Sequence, residues 1–425
     1  MLGHVFIKRT VHVYRKTITF LSNMPESHVS NRHEHVESAG SSERYRNISI
    51  LAFPGKNKIS FFPLKIKVGV AMYISFGLFA FVTAVAALEP TKLDSRGLAP
   101  TTHEASIINT PTIVSNTETT TSQLLPRLEP LRYVNTTRLR VAYYESGPKE
   151  GQVVLLLHGW PYDIHSYVDV APALVKRGYR VIVPYLRGNG PTTFLHRDTF
   201  RSGEQAALGA DIIDLLDALQ IPKAIFAGYD WGGRAACVAA ALWPERCSGL
   251  VSVNSYLIQD LSKAWIPLDA KIEAGFWYFF YFLTPRGEAA LIQTPKDIAR
   301  VVWSRNSPQW NYTEANLDRA AETFINPDYV SIVLHVYRHR LLYAPGDPEY
   351  AELEAQLLKQ PAIKVPTVTL DGLADGNFPP TNGSASAKYF TGPRVHHQVA
   401  GAGHNLPQER PGAFVDAVLE VSKLR

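Results

Sequence analysis

From about residue 131 onward, the chain alternates between short apolar runs and longer stretches with apolar residues at helical spacing. A continuous apolar run of about 4–8 residues is typical of a strand buried in a parallel sheet. Residues 138–144 alternate between apolar and polar side chains like an edge strand. The pattern predicts an α/β fold, with a mostly parallel sheet covered by helices on both faces. Strands are predicted at residues 153–157, 180–184, 225–226, 249–253, 365–370 and 395–399, and helices at residues 203–219 and 412–424.

The pattern changes between residues 256 and 361. This stretch is long and rich in aromatic residues, and it has helical spacing without a buried-strand run. Its densest aromatic patch covers residues 274–282. A helical insertion between two strands of such a sheet is predicted to form a cap over the site. We therefore predict one catalytic domain at residues 129–425, with a helical cap at about 256–361.

The amino-terminal part differs in composition and charge. Residues 1–67 have no sustained hydrophobic period, and they contain eleven Lys or Arg and four Glu, a balance of +7. The whole chain has a net charge of +5, so the remainder carries about −2. We predict that residues 1–67 form a disordered basic tail. Because the positive charge lies in this tail, we expect no nucleic-acid partner for the catalytic domain.

Residues 68–88 form a run of 21 residues without a charge, long enough to cross a bilayer as a helix. Lysines precede the run and Glu89 follows it, so the positive-inside rule places the catalytic domain on the non-cytoplasmic side. The same run also fits an export signal cleaved near Ala86. Both alternatives stay open, and the membrane is a partner only if the run is uncleaved. Residues 89–128 are rich in Thr, Ser and Pro and predict a linker.

A predicted strand, a sharp turn and a predicted helix meet at Asp230. Gly228 and Gly232 lie two residues before and after Asp230, where the close approach of backbone atoms at such a turn requires small residues. The pattern is a nucleophile elbow with Asp in place of the usual Ser. A carboxylate is ionised at neutral pH and can attack a saturated carbon to form an ester. It is poorly suited to cleaving esters, which disfavours a serine-type esterase.

Asp375 and His404 complete a candidate triad, because each follows one of the last two predicted strands. The carboxyl ends of parallel strands meet at one edge of a sheet, which brings these residues close to Asp230. Asp371 is the alternative acid, but Asp375 is preferred because it lies beyond Gly372 in the following loop. In this arrangement, His404 is oriented by Asp375 and activates the water that hydrolyses the ester.

Ester hydrolysis forms an oxyanion that requires two backbone N–H donors. Trp231 directly follows the nucleophile, and Trp160 follows the turn formed by His158 and Gly159. The backbone N–H groups of the two tryptophans are therefore the predicted donors. Pro161 is predicted to form a cis peptide bond, and His158 to support the turn.

Three motifs together resemble the epoxide hydrolase branch of the α/β hydrolases, over about residues 131–425. They are His158-Gly159-Trp160-Pro161, Gly228-Tyr229-Asp230-Trp231-Gly232-Gly233 and Gly401-Ala402-Gly403-His404. The resemblance implies two cap tyrosines that hold the epoxide oxygen and protonate it. Tyr278 is similar to the first, with Tyr281 as an alternative, and Tyr337 is similar to the second. No cofactor or metal is expected.

Two other functions remain open. Haloalkane and haloacid dehalogenases share the fold and the Asp nucleophile, but haloalkane dehalogenases usually have Asn where Trp160 stands. Fluoroacetate dehalogenases usually have Arg where Trp231 stands, so both departures favour the epoxide hydrolase. The second alternative is a ligand-binding homologue without catalysis. The expected partners of the enzyme are a small apolar epoxide and water, since the predicted cap is rich in aromatic residues.

Overall fold

The computed structural model describes residues 45–50, 62–67 and 125–424. In the amino-terminal part, strands β1 (Tyr45–Ile50) and β2 (Phe62–Lys67) pair in an antiparallel manner. Both strands fall in the stretch predicted to be a disordered tail, and the rest of that stretch lies outside the described residues. The apolar run at 68–88 and almost all of the predicted linker also lie outside them. Within the described segments, no helix combines the length and apolar character needed to cross a bilayer.

One sheet of nine strands forms the centre of the catalytic domain. The strands are β3 (Leu131–Asn135), β4 (Leu139–Ser146), β5 (Val153–Leu157), β6 (Arg180–Pro184), β7 (Thr193–Phe194), β8 (Ala224–Gly228), β9 (Cys247–Val253), β10 (Thr367–Gly372) and β11 (Arg394–Val399). Their order in the sheet is β11-β10-β9-β8-β5-β6-β4-β3, and β7 pairs with β4.

The six strands from β11 to β6 in this order are parallel, whereas β3, β4 and β7 pair in an antiparallel manner. The predicted fold class is therefore confirmed. All five residues of β8 are buried, which requires cover on both faces of the sheet. The edge-strand prediction for residues 138–144 was wrong, because β4 pairs with β3 on one side and with β6 on the other. The edge is β3, which is more exposed than β4.

The helices are α1 (Val170–Val175), α2 (Gln205–Ala218), α3 (Asp230–Leu242), α4 (Ala270–Gly275), α5 (Trp277–Tyr281), α6 (Pro285–Gln293), α7 (Pro295–Asn306), α8 (Glu314–Ala321), α9 (Tyr329–Arg340), α10 (Ala351–Leu357), α11 (Leu406–Glu409) and α12 (Pro411–Val421). Helices α2 and α3 pack against each other, and α3 also contacts β5, β8 and β9. Helix α12 packs against α1, β9 and β10.

Helices α4 to α10 lie between β9 and β10, in the stretch where the aromatic pattern predicts the cap. Residues 254–366 are all described, and they contain helices, turns and loops but no strand. The aromatic patch at residues 274–282 turns inward, because Phe276, Tyr278, Phe279 and Phe282 are buried in the main hydrophobic core. The cap therefore contributes buried aromatic side chains to the interior of the domain.

Candidate active site

The nucleophile elbow is built by β8, which ends at Gly228, and α3, which begins at Asp230. Asp230 has a φ of 51°, a left-handed backbone conformation that non-glycine residues rarely adopt. A Cβ on Gly232 would lie 2.1 Å from the backbone oxygen of Leu157, and one on Gly228 would lie 2.6 Å from the backbone of Gly232. A Cβ on Gly159 would lie 2.6 Å from the Cβ of Asp230. The absence of a Cβ at these three glycines therefore leaves the space that the sharp turn and the Asp230 carboxylate need.

Two backbone N–H groups stabilise the charge of the Asp230 carboxylate. The N–H of Trp160 donates to Oδ1 at 2.8 Å, and the neighbouring N–H of Trp231 helps to lower the pKa of this carboxyl group. The peptide bond between Trp160 and Pro161 is cis, as predicted. The buried His158 ring bonds through Nδ1 to the carbonyl of the next residue, and its Nε2 accepts a backbone N–H from the loop after β6. His158 thus supports the turn that presents the Trp160 donor.

The structure brings Asp230, Asp375 and His404 together at the carboxyl ends of the strands. His404 Nε2 lies 3.3 Å from Asp230 Oδ2, and Nδ1 lies 2.8 Å from Asp375 Oδ2. The second oxygen of Asp375 accepts the backbone N–H groups of Asn377 and Phe378 at 2.8 and 2.9 Å. Two backbone donors therefore hold Asp375 in place, and Asp375 orients the imidazole towards Asp230.

The alternative acid, Asp371, is also buried but has a different partner. Its Oδ2 accepts the backbone N–H and the side-chain hydroxyl of Thr381 at 2.8 and 2.7 Å. Asp371 belongs to β10 itself, whereas Asp375 lies in the loop beyond that strand. The loop position is what lets a carboxylate reach His404.

The charges of the triad stabilise one another. Burial by itself opposes ionisation of Asp230, but His404 and the N–H groups of Trp160 and Trp231 outweigh this effect and lower its pKa below 3.8. Burial also opposes a charge on His404, but Asp375 and Asp230 together raise its pKa to about 10. At neutral pH the resting site therefore holds an imidazolium between two carboxylates.

Tyr278 and Tyr337 come from the cap and meet above this site. Their ring centroids are 5.3 Å apart, and each ring lies 5.4 Å from that of Trp160. Burial raises the pKa of both phenols above the ordinary value of 10, so both keep their protons at neutral pH. The hydroxyl of Tyr337 accepts the indole N–H of Trp231 at 3.3 Å, which leaves its own proton available for donation. Tyr281 packs against Trp277 and does not line the cavity beside Asp230.

A small cavity of about 10 Å³ lies directly beside Asp230, with Tyr278 in its wall. This volume is about that of one water molecule, so the reacting centre is closely enclosed. A wider pocket of about 330 Å³ adjoins it. The two share six lining residues: Arg234, Leu257, Phe276, Phe279, Arg340 and Phe378.

Several residues that the motifs did not reveal support the triad. Asn254 donates to Asp375 Oδ2 at 3.3 Å. It directly follows the buried strand β9, and this position in the sequence could have identified it as a candidate site residue. Ser307 accepts the backbone N–H of His404 at 3.0 Å and donates to Glu409 at 2.6 Å. The ring of Phe378 is nearly parallel to that of His404, at 5.3 Å. No local pattern marks Ser307, Glu409 or Phe378, because each reaches the site only through folding.

Comparisons with known proteins agree with this architecture. The family model described as alpha/beta hydrolase fold matches residues 152–411. The chain therefore belongs to the alpha/beta hydrolase fold family and is a hydrolase. Within that family it is epoxide hydrolase-like.

Relatives that carry this name include Epoxide hydrolase A of Mycobacterium tuberculosis, which is 26% identical over 313 residues. That match covers 68% of this chain and 96% of the relative. Human Epoxide hydrolase 4 is 30% identical over 149 residues, which cover 35% of this chain and 40% of that protein. A crystal structure of a candidate epoxide hydrolase from Klebsiella pneumoniae subsp. pneumoniae is 47% identical, with a TM-score of 0.68. It covers 69% of this chain and 97% of its own.

Proposed function

We propose that this enzyme opens epoxides to vicinal diols through a covalent ester on Asp230. The observation that carries the proposal is the Asp230 carboxylate itself. It lies on the elbow between two backbone N–H donors and 3.3 Å from His404, beneath two buried, protonated tyrosines. The names of the relatives from Mycobacterium tuberculosis and Klebsiella pneumoniae support the same reaction.

In the first step, an oxygen of Asp230 attacks an epoxide carbon, and the bond between that carbon and the epoxide oxygen breaks. The departing alkoxide is a strong base and needs a proton as it forms. Tyr278 or Tyr337 supplies this proton, because burial keeps both phenols protonated and their rings pack against each other. The product of this step is a hydroxyalkyl ester of Asp230.

In the second step, His404 takes a proton from water, and the hydroxide attacks the ester carbonyl. Esterification removes the negative charge of Asp230, which is one of the two charges that raise the pKa of His404. The imidazolium therefore gives up its proton more readily once the ester has formed. This proton restores the tyrosine that protonated the alkoxide, and its loss leaves His404 neutral and able to act as the base. The N–H groups of Trp160 and Trp231 stabilise the oxyanion. Collapse of this intermediate expels the alkoxide, which takes the proton from His404 and leaves as the diol. The proton that remains on Asp230 passes to His404, which restores the resting carboxylate and imidazolium.

The side-chain contacts of the two tryptophans favour an epoxide over a halide. A departing halide needs no proton but is stabilised by N–H donors. The indole N–H of Trp160 donates to the Tyr329 hydroxyl at 2.9 Å, and that of Trp231 donates to Tyr337 at 3.3 Å. Both indole donors are thus already engaged, whereas both phenols keep their protons at neutral pH.

The test is to incubate the full chain with neutral aryl epoxides and matched haloalkanes and to measure diol and halide in parallel. Diol without halide is the expected result. Halide without diol would assign a dehalogenase, and a tightly retained ligand without either product would assign a binding protein. The His404→Gln variant should gain the mass of one intact epoxide, and Asp230→Asn should not. No adduct on either variant would overturn the covalent mechanism.

We also propose that residues 68–88 direct the chain to a membrane, either as an anchor or as a cleaved export signal. The support is the run of 21 residues without a charge that follows a basic segment. Expression of the native chain beside a Leu78→Arg variant, followed by fractionation and sizing of the product, tests this. Membrane association of the native chain, or cleavage near Ala86, that is lost in the variant is expected. Identical soluble, uncleaved products would contradict it.

A further inference from the structure

Two arginines from different parts of the chain line both the cavity beside Asp230 and the wider pocket outside it. Arg234 lies on α3, one helical turn after the nucleophile. Arg340 is the last residue of α9, three positions after Tyr337. The fold therefore places two positive charges next to the reacting centre, one from the nucleophile helix and one from the cap.

Neutral groups hold both guanidinium groups. Arg234 donates to the backbone oxygen of Leu257 at 2.6 Å, and Arg340 donates through Nε to the side-chain oxygen of Gln259 at 2.8 Å. The Arg340 guanidinium also lies 4.6 Å from the ring centre of Phe279. Among residues 125–424, no carboxylate oxygen lies within 4.0 Å of a guanidinium nitrogen of Arg234 or Arg340, so neither arginine forms an ion pair there.

This arrangement is electrostatically unfavourable without a further anion. Burial and the positive charge of Arg340 lower the pKa of Arg234 to about 9, and burial lowers the pKa of Arg340 as well. Asp230 is the nearby counter-charge, but its oxygens are occupied by His404 and backbone donors. Its charge also disappears when the ester forms. Buried charges are normally paired, and unpaired ones in a cleft mark candidate binding groups.

We propose that Arg234 and Arg340 bind a carboxylate on the substrate, so that the enzyme acts on epoxides bearing an acid group. This inference rests on the proposed epoxide hydrolase function and names its substrate class. Arg234 follows Asp230 by four helical positions, a separation of about 6 Å along the helix axis. Because both arginines line the cavity beside Asp230, a carboxylate bound by them lies close to the reacting carbon. A planar guanidinium is well suited to this group, because it can donate two parallel hydrogen bonds to one carboxylate.

The rest of the pocket suits an apolar spacer between epoxide and acid. Leu257, Phe276, Phe279 and Phe378 line both the inner cavity and the outer pocket. The acidic residues at the outer pocket already have partners. Asp260 pairs with Lys263 at 2.6 Å, and Glu273 accepts the backbone N–H of Leu268 at 2.8 Å. The acidic residues therefore do not neutralise the two arginines, which are left to bind an anion next to the apolar lining of the pocket.

The test compares para-carboxystyrene oxide with its neutral para-carboxamide analogue. The two differ in charge but have nearly the same shape, and the ring separates the acid from the epoxide. The full chain should hydrolyse the acid with the higher kcat/KM. In Arg340→Gln, the ratio of the two kcat/KM values should fall by about 10- to 100-fold, the range for losing a charge-assisted hydrogen bond. Arg340→Lys keeps the charge and should recover part of the preference.

Arg300→Gln is the matched control, because Arg300 also belongs to the cap but lines neither pocket and pairs with Glu314. Its acid-to-amide ratio should match that of the native chain. Arg340 is the first choice for substitution, since Arg234 also anchors the backbone at Leu257 and its loss can unfold the elbow. Equal kcat/KM values for acid and amide in the native chain would overturn the carboxylate site but leave the epoxide hydrolase function standing.

A binding measurement separates the two proposals if neither epoxide reacts. Calorimetry with para-ethylbenzoate and para-ethylbenzamide, which cannot form the ester, reports on the arginine pair alone. Preferential binding of the benzoate that is lost in Arg340→Gln would support the carboxylate site even if the proposed reaction failed. Equal affinity for the two compounds, or a benzoate preference retained in Arg340→Gln, would overturn the site.

Discussion

Replacing Asp375 by Asn separates the two half-reactions. The Asp375 carboxylate lies 2.8 Å from Nδ1 of His404 and helps to raise the pKa of that imidazole to about 10. An amide has nearly the same shape but no charge. Asp230 keeps its two backbone donors in this variant, so we expect ester formation to persist. Ester hydrolysis should fail, because His404 must become an imidazolium in its transition state.

The magnitude follows from the burial of the pair. Both side chains are almost completely buried, at 1% and 0% exposure, so solvent hardly screens their interaction. Breaking a buried ion pair by removing one partner costs about 3–5 kcal/mol. If this free energy is added to the activation barrier of ester hydrolysis, hydrolysis slows by about 10²- to 10⁴-fold. The ester should therefore become the main form of the enzyme during turnover.

The assay is a rapid-quench single turnover with a neutral aryl epoxide, read by intact-protein mass. Asp371→Asn is the matched control, since Asp371 is also buried but bonds to Thr381 rather than to His404. The ester should accumulate in Asp375→Asn and stay transient in Asp371→Asn. Equal slowing of both half-reactions without an adduct would refute the assigned role of Asp375. Accumulation in both variants would show that the effect does not come from the triad contact.

Three other expectations concern the tyrosines, the elbow and pH. Tyr278→Phe and Tyr337→Phe should each slow ester formation by about 10²-fold or more, measured in single turnovers, and unchanged rates would leave them with packing roles only. Gly232→Ala should lower the free energy of unfolding in urea by about 1–3 kcal/mol, because its Cβ would lie 2.1 Å from a backbone oxygen of β5. Gly412→Ala has no atom within 4 Å of its Cβ and should not be destabilising. The pKa of His404 is raised from 6.5 to about 10 by folding, so its contribution to stability is complete below pH 6.5 and is lost as the pH rises towards 10. The unfolding midpoint should therefore fall over this range by more in the native chain than in His404→Gln, and parallel curves would contradict the shift.

The hydrophobic pattern was sufficient to predict most of the sheet. Strands β5 and β6 begin and end at the predicted residues, because a strand buried on both faces must be apolar throughout. The pattern failed at β4, where one exposed residue near the start of the strand gives an edge-like alternation although both neighbours are strands. Alternation records which side chains face solvent, and it does not record hydrogen-bonding neighbours. Only the assembled sheet shows that β3 forms the edge.

By itself, the sequence was enough to predict the type of chemistry, because that prediction rests on local geometry. An Asp between Gly228 and Gly232 needs only a strand, a turn and a helix in succession, and those three elements are encoded within one short stretch. Tertiary structure decided what surrounds that carboxylate. Arg234 and Arg340 are separated by more than a hundred residues and gave no local signal, yet both line the cavity beside Asp230. The two positive charges indicate a binding site only after the cap has folded over the elbow. An unpaired charge is unfavourable only when it is removed from solvent, and this is why it then points to a missing anion.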